Sequence, residues 1–345
     1  MLKSWLAENV LSPWPASPAD ADWGKAWEAG TAWAYTAALL AANTAVWLFV
    51  WLLARSLLAG AEHALLRSVA VRALAVTAAV VLFWRVLQQR SWEALGLRPA
   101  RPAWMDVLAG LFIMAAAQTV MWLVLLAAGA VHIRWVAGEG VHAFKILGEA
   151  MLLWALVAWS EELLVRGYWL NTVAAGHWLA GVRRTRALTT PRPGAADRLA
   201  GALVSSAFFV VLHAANAHIS APALVGIFVG GMFLAYAYVC SDALWLPMGM
   251  HLGWNLFEGS VYGLRVSGVE APRLWATSLA GPSWLTGGAF GPEASMAAVP
   301  ALVLAFGLIA VYTSWGYNGN QKKRCAARLK DSFVSLAAMI GFVRV

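Results

Sequence analysis

Two adjacent carboxylates and an arginine interrupt a long apolar stretch of this chain: Glu161, Glu162 and Arg166 in WSEELLVRGYW, residues 159–169. Two histidines stand deep in other apolar runs. His213 lies in FFVVLHAAN, four residues after Phe209, and His251 in GMHLGWNLFEG, where Asn255 and Glu258 follow at i+4 and i+7. An ionisable side chain at bilayer depth costs about 2.5–3.5 kcal/mol on insertion scales, so it marks a functional position by default. A carboxylate, two imidazoles and an amide drawn from three helices would suit hydrolysis: a base to activate water, a second group to position it, and donors for an oxyanion. Burial of such a glutamate would raise its pKa towards the useful range.

Spacing separates the roles within each stretch. Glu162 and Arg166 are four apart, so on a helix they share a face and can pair, offsetting part of the cost of burying both. Glu161 is turned about 100° away and is left to face something else. His251, Asn255 and Glu258 fall on one helical stripe, which suggests a polar cavity rather than lipid contact, with Glu258 a candidate cavity acid. Plain structural readings stand beside these. The two glutamates and Arg166 could form one buried network, His213 a satisfied core histidine, and the His251 stripe a hydrogen-bonded helix contact. The coincidence of all three on separate apolar helices favours a site.

Helices must position these groups, and the composition says they are membrane helices. The chain of 345 residues is 61% apolar and 12% charged, with a mean hydropathy of +0.67. Soluble domains carry about a quarter charged residues, so a soluble domain is excluded. We expect an all-α, polytopic bundle of about eight transmembrane helices with the active site inside it. The spans are placed at 31–54, around 73–84, 107–131, 147–172, 199–217, 221–240, 243–261 and 295–316. Residues 1–30 read as an interfacial leader and 31–131 as the N-terminal membrane helices. The core with the polar motifs covers 145–262, a Gly/Pro-rich loop 263–293, the last membrane helix 294–320 and a basic tail 321–345. Residues 1–30 lack a signal-peptide core, and insertion is expected to begin at the first helix.

The net charge of +8 needs no nucleic acid, since no binding motif accompanies it. With eight spans and the tail counted over QKKRCAARLK, sixteen lysines and arginines fall on one side and seven on the other. The positive-inside rule then places both termini in the cytoplasm. Cys240 and Cys325 offer neither a disulfide framework nor a CxxC pair.

EELLVRG, FVVLH and HLGWN, in that order on three apolar helices, resemble the EExxxR, FxxxH and HxxxN motifs of the CPBP family. These are the CAAX-protease, bacteriocin-processing (Abi) intramembrane glutamic endopeptidases, related to the type II CAAX prenyl endopeptidases. The resemblance covers about residues 90–262, including LGLRP before the third span. It implies an integral membrane protease, in the plasma membrane of a prokaryote, acting on a membrane-associated protein or peptide. Glu161 would be the general base, helped by His213. Glu162 and Arg166 would hold the site together, His251 and Asn255 would stabilise the oxyanion, and Phe209 would shape the pocket.

No HExxH pair is present, and no cofactor is expected. If zinc binds, Glu161, His213 and His251 are the ligands available, with water in the fourth place. Two readings from other classes remain. A proton- or ion-coupled transporter would use the same buried charges as a relay, although no internal repeat supports one. A catalytically silent scaffold or immunity protein would carry the motifs without using them.

Overall fold

Apolar runs that cannot hydrogen-bond to lipid must satisfy their own backbone, and the helix is the economical way to do so. A computed structural model describes residues 29–57, 64–97, 102–138, 140–182 and 193–316, and most of these residues are helical. The leader at 1–28, four arginines of the basic loop (183, 184, 186 and 192), the Arg98–Pro99 part of LGLRP, Cys325 and the basic tail lie outside the described residues. In chain order the helices are α1 (Ala29–Leu57), α2 (Ala64–Val80), α3 (Ala103–Ala127), α4 (Val141–Glu162), α5 (Asn171–Val182), α6 (Ala195–His213), α7 (Ala221–Ser241), α8 (Trp245–Asn255), α9 (Ser283–Thr286) and α10 (Ala298–Gly316). Three π-helical segments extend them: Val81–Leu87 after α2, Leu163–Leu170 after α4, and Leu256–Val261 after α8.

The architecture is all-α and polytopic. Among the described residues, six helices are long and apolar enough to cross a membrane. The fourth runs without a break from Val141 to His177, longer than the expected 147–172. Helices α8 and α10 occupy the seventh and eighth expected spans and are shorter. The described residues divide into two compact units, one from 29–97 with 163–205 and one from 102–162 with 206–316.

The first unit is centred on Tyr168, whose hydroxyl receives Gln88 Nε2 at 3.1 Å and donates to Leu39 O at 3.4 Å. Phe83 and Trp84 meet its ring edge-on, at 6.4 and 6.1 Å. His177 Nδ1 lies 2.6 Å from Asp197 Oδ1 on the first turn of α6.

The second unit is built on the contact of α3 with α8. Ile113, Met114, Ala117, Met121 and Leu125 of α3 form one core with Leu246 and Met250 of α8, Phe233 and Ala237 of α7, and Ala301, Ala305 and Ile309 of α10. Glycines allow the two backbones to meet: a Cβ at Gly110 would stand 2.5 Å from Leu246 O, and one at Gly249 would collide with Val107 O. Gly249 and Gly253 make the small-xxx-small spacing that permits close helix approach. The expected 263–293 loop is more ordered than its composition suggests. It contributes strand β2 (Trp275–Leu279), which pairs antiparallel with β1 (Val131–Trp135) in the connector between α3 and α4.

Candidate active site

Glu161 and Glu162 are the last residues of α4 before the winding widens, and both are buried. His213 is the final residue of α6. The apolar run 199–217 places it mid-helix; the structure ends the helix there and leaves its side chain 13% exposed. Its Nδ1 lies 2.8 Å from Phe209 O, one turn back. A carbonyl can only accept, so Nδ1 carries the proton of the neutral ring and Nε2 presents its lone pair. That Nε2 faces Glu161 Oε2 at 3.9 Å.

His251 on α8 repeats the arrangement with a different anchor. Its Nδ1 donates to Glu162 Oε1 at 2.8 Å, and its Nε2 stands 3.7 Å from the same Glu161 Oε2. Both Nε2 separations are too long for a direct hydrogen bond and short enough for one water to be shared. The Phe209 ring packs against both imidazoles, with centroids 4.4 Å from His213 and 6.1 Å from His251. Asn255, one turn beyond His251 on α8, is also buried. Five of the expected residues, Glu161, Glu162, Phe209, His213 and His251, are therefore in mutual contact or within a water's reach.

One expectation is modified. The stripe through His251, Asn255 and Glu258 assumes α-helical winding, but from Leu256 the helix is π-helical. Each residue there advances less than 100°, so Glu258 leaves the stripe. It is fully buried and accepts from Gln118 Nε2 of α3 at 3.2 Å. Arg166 is fully buried on the Leu163–Leu170 segment, which belongs to the first unit.

The link from Glu162 to His251 joins residues 89 apart in sequence, and no local spacing announces it. Gln118 could have been found as the amide within the otherwise apolar 107–131 run. For zinc, tetrahedral coordination at about 2.0–2.1 Å places ligand atoms about 3.3 Å apart. The Glu161–His213 and Glu161–His251 separations exceed this, and among the described residues no three His, Cys, Asp or Glu side chains are grouped as a metal site. As they stand, these separations are longer than those between the ligands of a tetrahedral zinc.

Residues 143–257 match the family model described as "Type II CAAX prenyl endopeptidase Rce1-like". The matched stretch contains all three motifs. The match spans 115 of the 345 residues, one third of the chain. No curated protein and no solved structure matches the chain.

Proposed function

We propose that the chain, whose residues 143–257 match the Rce1-like CAAX prenyl endopeptidase model, hydrolyses a peptide bond of a membrane-associated protein or peptide with Glu161 as general base. The observation that carries the proposal is the convergence of two imidazole Nε2 atoms on Glu161 Oε2, at 3.9 and 3.7 Å, with each Nδ1 already committed elsewhere.

A water held at Glu161 Oε2 gives one proton to that carboxylate as its oxygen bonds to the scissile carbonyl carbon. The carbonyl π pair moves to oxygen, giving a tetrahedral oxyanion. His213 Nε2, an acceptor in the neutral ring, holds the other O–H of the water and fixes its approach. Collapse of the oxyanion breaks the C–N bond, and the proton on Glu161 passes to the departing nitrogen. Asn255 donates an N–H to the oxyanion. For His251 to donate as well, both its nitrogens must be protonated, and the Glu162 carboxylate offsets that charge. Glu162 thus serves as the orienting partner of His251, a more specific task than general electrostatic support. Arg166 is assigned to balancing the glutamates on the strength of the motif, and Phe209 to walling the pocket. The reaction needs no cofactor.

We place the chain in a prokaryotic plasma membrane with both termini in the cytoplasm, in keeping with the excess of basic residues on that side. Terminal proteomics of membranes containing wild type or Glu161→Gln tests the activity. A new protein terminus seen only with wild type supports the proposal and identifies the bond. Identical termini in wild-type, Glu161→Gln and His213→Ala membranes would contradict it.

A further inference from the structure

The motifs leave unexplained why residues 262–293 are held so firmly. Val266 and Val269 exchange backbone hydrogen bonds of 3.0 and 2.9 Å around a two-residue turn. At its centre Ser267 and Gly268 have φ of 48° and 81°. Both positions of this turn require the left-handed region, which glycine accepts easily and serine does not. Gly268 is required for a second reason, because a Cβ there would collide with Ala217 O.

Contacts on several sides hold the serine in place. Its N and Oγ both donate to Glu293 Oε2 at 2.7 Å, and its carbonyl receives Asn216 Nδ2 at 3.0 Å. The other oxygen of Glu293 receives Trp254 Nε1 at 2.9 Å. Asn216 N in turn donates to His213 O at 2.9 Å. Trp254 is the neighbour of Asn255 on α8. One polar path therefore leads from the backbone of His213, through Asn216, Ser267 and Glu293, to the helix that carries His251 and Asn255.

We propose that Glu293 is a positioning residue that fixes the end of α6 against α8, and so sets His213 relative to His251 and Asn255. Three donors converge on it: an indole N–H, a backbone N–H and a hydroxyl. Only a side chain that accepts on both oxygens satisfies all three. A glutamine of the same shape must turn its NH2 group towards a donor. Charge also strengthens each of the three bonds. Productive geometry tolerates displacements of about 0.5 Å, so loosening this tie should reach the chemistry without any contact with substrate. The catalytic consequence rests on the endopeptidase reading; the mechanical link between the helices does not.

The test uses the full chain in detergent with Glu293→Gln, Trp254→Phe and the double variant. Hydrogen-exchange mass spectrometry reads the helices, and cleavage of a farnesylated CAAX-type peptide reads the chemistry. We expect Glu293→Gln to speed exchange in residues 206–217 and in 245–257 together, though Glu293 lies in neither. It should lower kcat about tenfold with little change in KM. Adding Trp254→Phe removes the donor opposed to the new amide and should recover about threefold of that loss. Unchanged exchange in either segment, or effects of the two substitutions that simply add, would overturn the proposal. A wild-type chain that leaves the peptide intact, while Glu293→Gln still loosens both helices, would contradict the endopeptidase reading and uphold the link.

Discussion

Replacing Gly253 with alanine should impair catalysis in the molecules that still fold. A Cβ at that position would stand 2.8 Å from Leu111 O and 3.0 Å from Met114 Cβ, about 0.6 Å short of the 3.4 Å at which ordinary contact begins. The nearest atom is helix backbone and cannot swing aside, so α8 must move away from α3 by about that amount. Folding loses up to about 2.5 kcal/mol, because overpacking costs about 1–3 kcal/mol while Gly→Ala within a helix returns about 0.5–1 kcal/mol. Geometry suffers as well. The 2.8 Å bond from His251 to Glu162 would stretch towards 3.4 Å, beyond the range of an effective N–H···O bond. A misplacement of 1 Å costs about a hundredfold, so roughly a tenfold fall in cleavage rate is expected. The assay follows appearance of the wild-type-dependent terminus, normalised to folded protein from a thermal melt. Gly249→Ala, whose Cβ would collide with Val107 O, should be worse. If both variants fold and cleave within twofold of wild type, the glycine seam does not set the position of His251.

Three further outcomes follow from the same geometry. Glu161→Gln should reduce cleavage at least about a hundredfold, the usual contribution of a general base; Glu162→Gln should cost less, since its amide oxygen can still receive His251 Nδ1, and the reverse order would exchange the two assignments. Cleavage should persist after dialysis against excess chelator, and loss restored by added zinc would require a metal the mechanism omits. At the surface, a hydrogen bond from Arg265 and the nearby Arg273 charge lower the Glu270 carboxyl below its ordinary 4.5; this small stabilisation is fully present above that value and is lost as pH falls through the depressed pKa. The melting temperature of Glu270→Gln should therefore fall less on acidification than that of wild type, and parallel curves would show that the cluster contributes nothing.

Sequence reveals what lipid demands and little of what the site demands. The uncharged run expected at 221–240 is the helix Ala221–Ser241, because apolar length alone determines it. The end of α6 is less legible. Ala214 and Ala215 continue the apolar run past His213, yet the backbone turns there, with Asn216 N bonded to His213 O and His218 at φ 61°. Hydropathy does not register a turn made of small residues. The windings after Glu162 and Asn255 are similarly silent, since a π-helix uses the same residue types as an α-helix. Strand β2 was hidden because its partner lies more than a hundred residues earlier. What the three motifs did convey was residue type; the pairings of Glu162 with His251 and of Trp254 with Glu293 join helices and loops that only folding brings together.

The burial of α8 has a consequence for how the protein is made. Leu246 to Gly253 are all buried, so this helix is solvated by other parts of the chain rather than by lipid. Its composition is thereby released from the bilayer and can carry His251 and Asn255 at depth. The same release removes its independent means of staying there. Seventeen residues from Trp245 to Val261, several of them polar, are a weak insertion signal. The helix gains its place only when α3 is already present to receive its glycine face. Assembly of the candidate site thus depends on the docking of α8 against α3, and a chain in which the two are apart would carry every motif without the site they form.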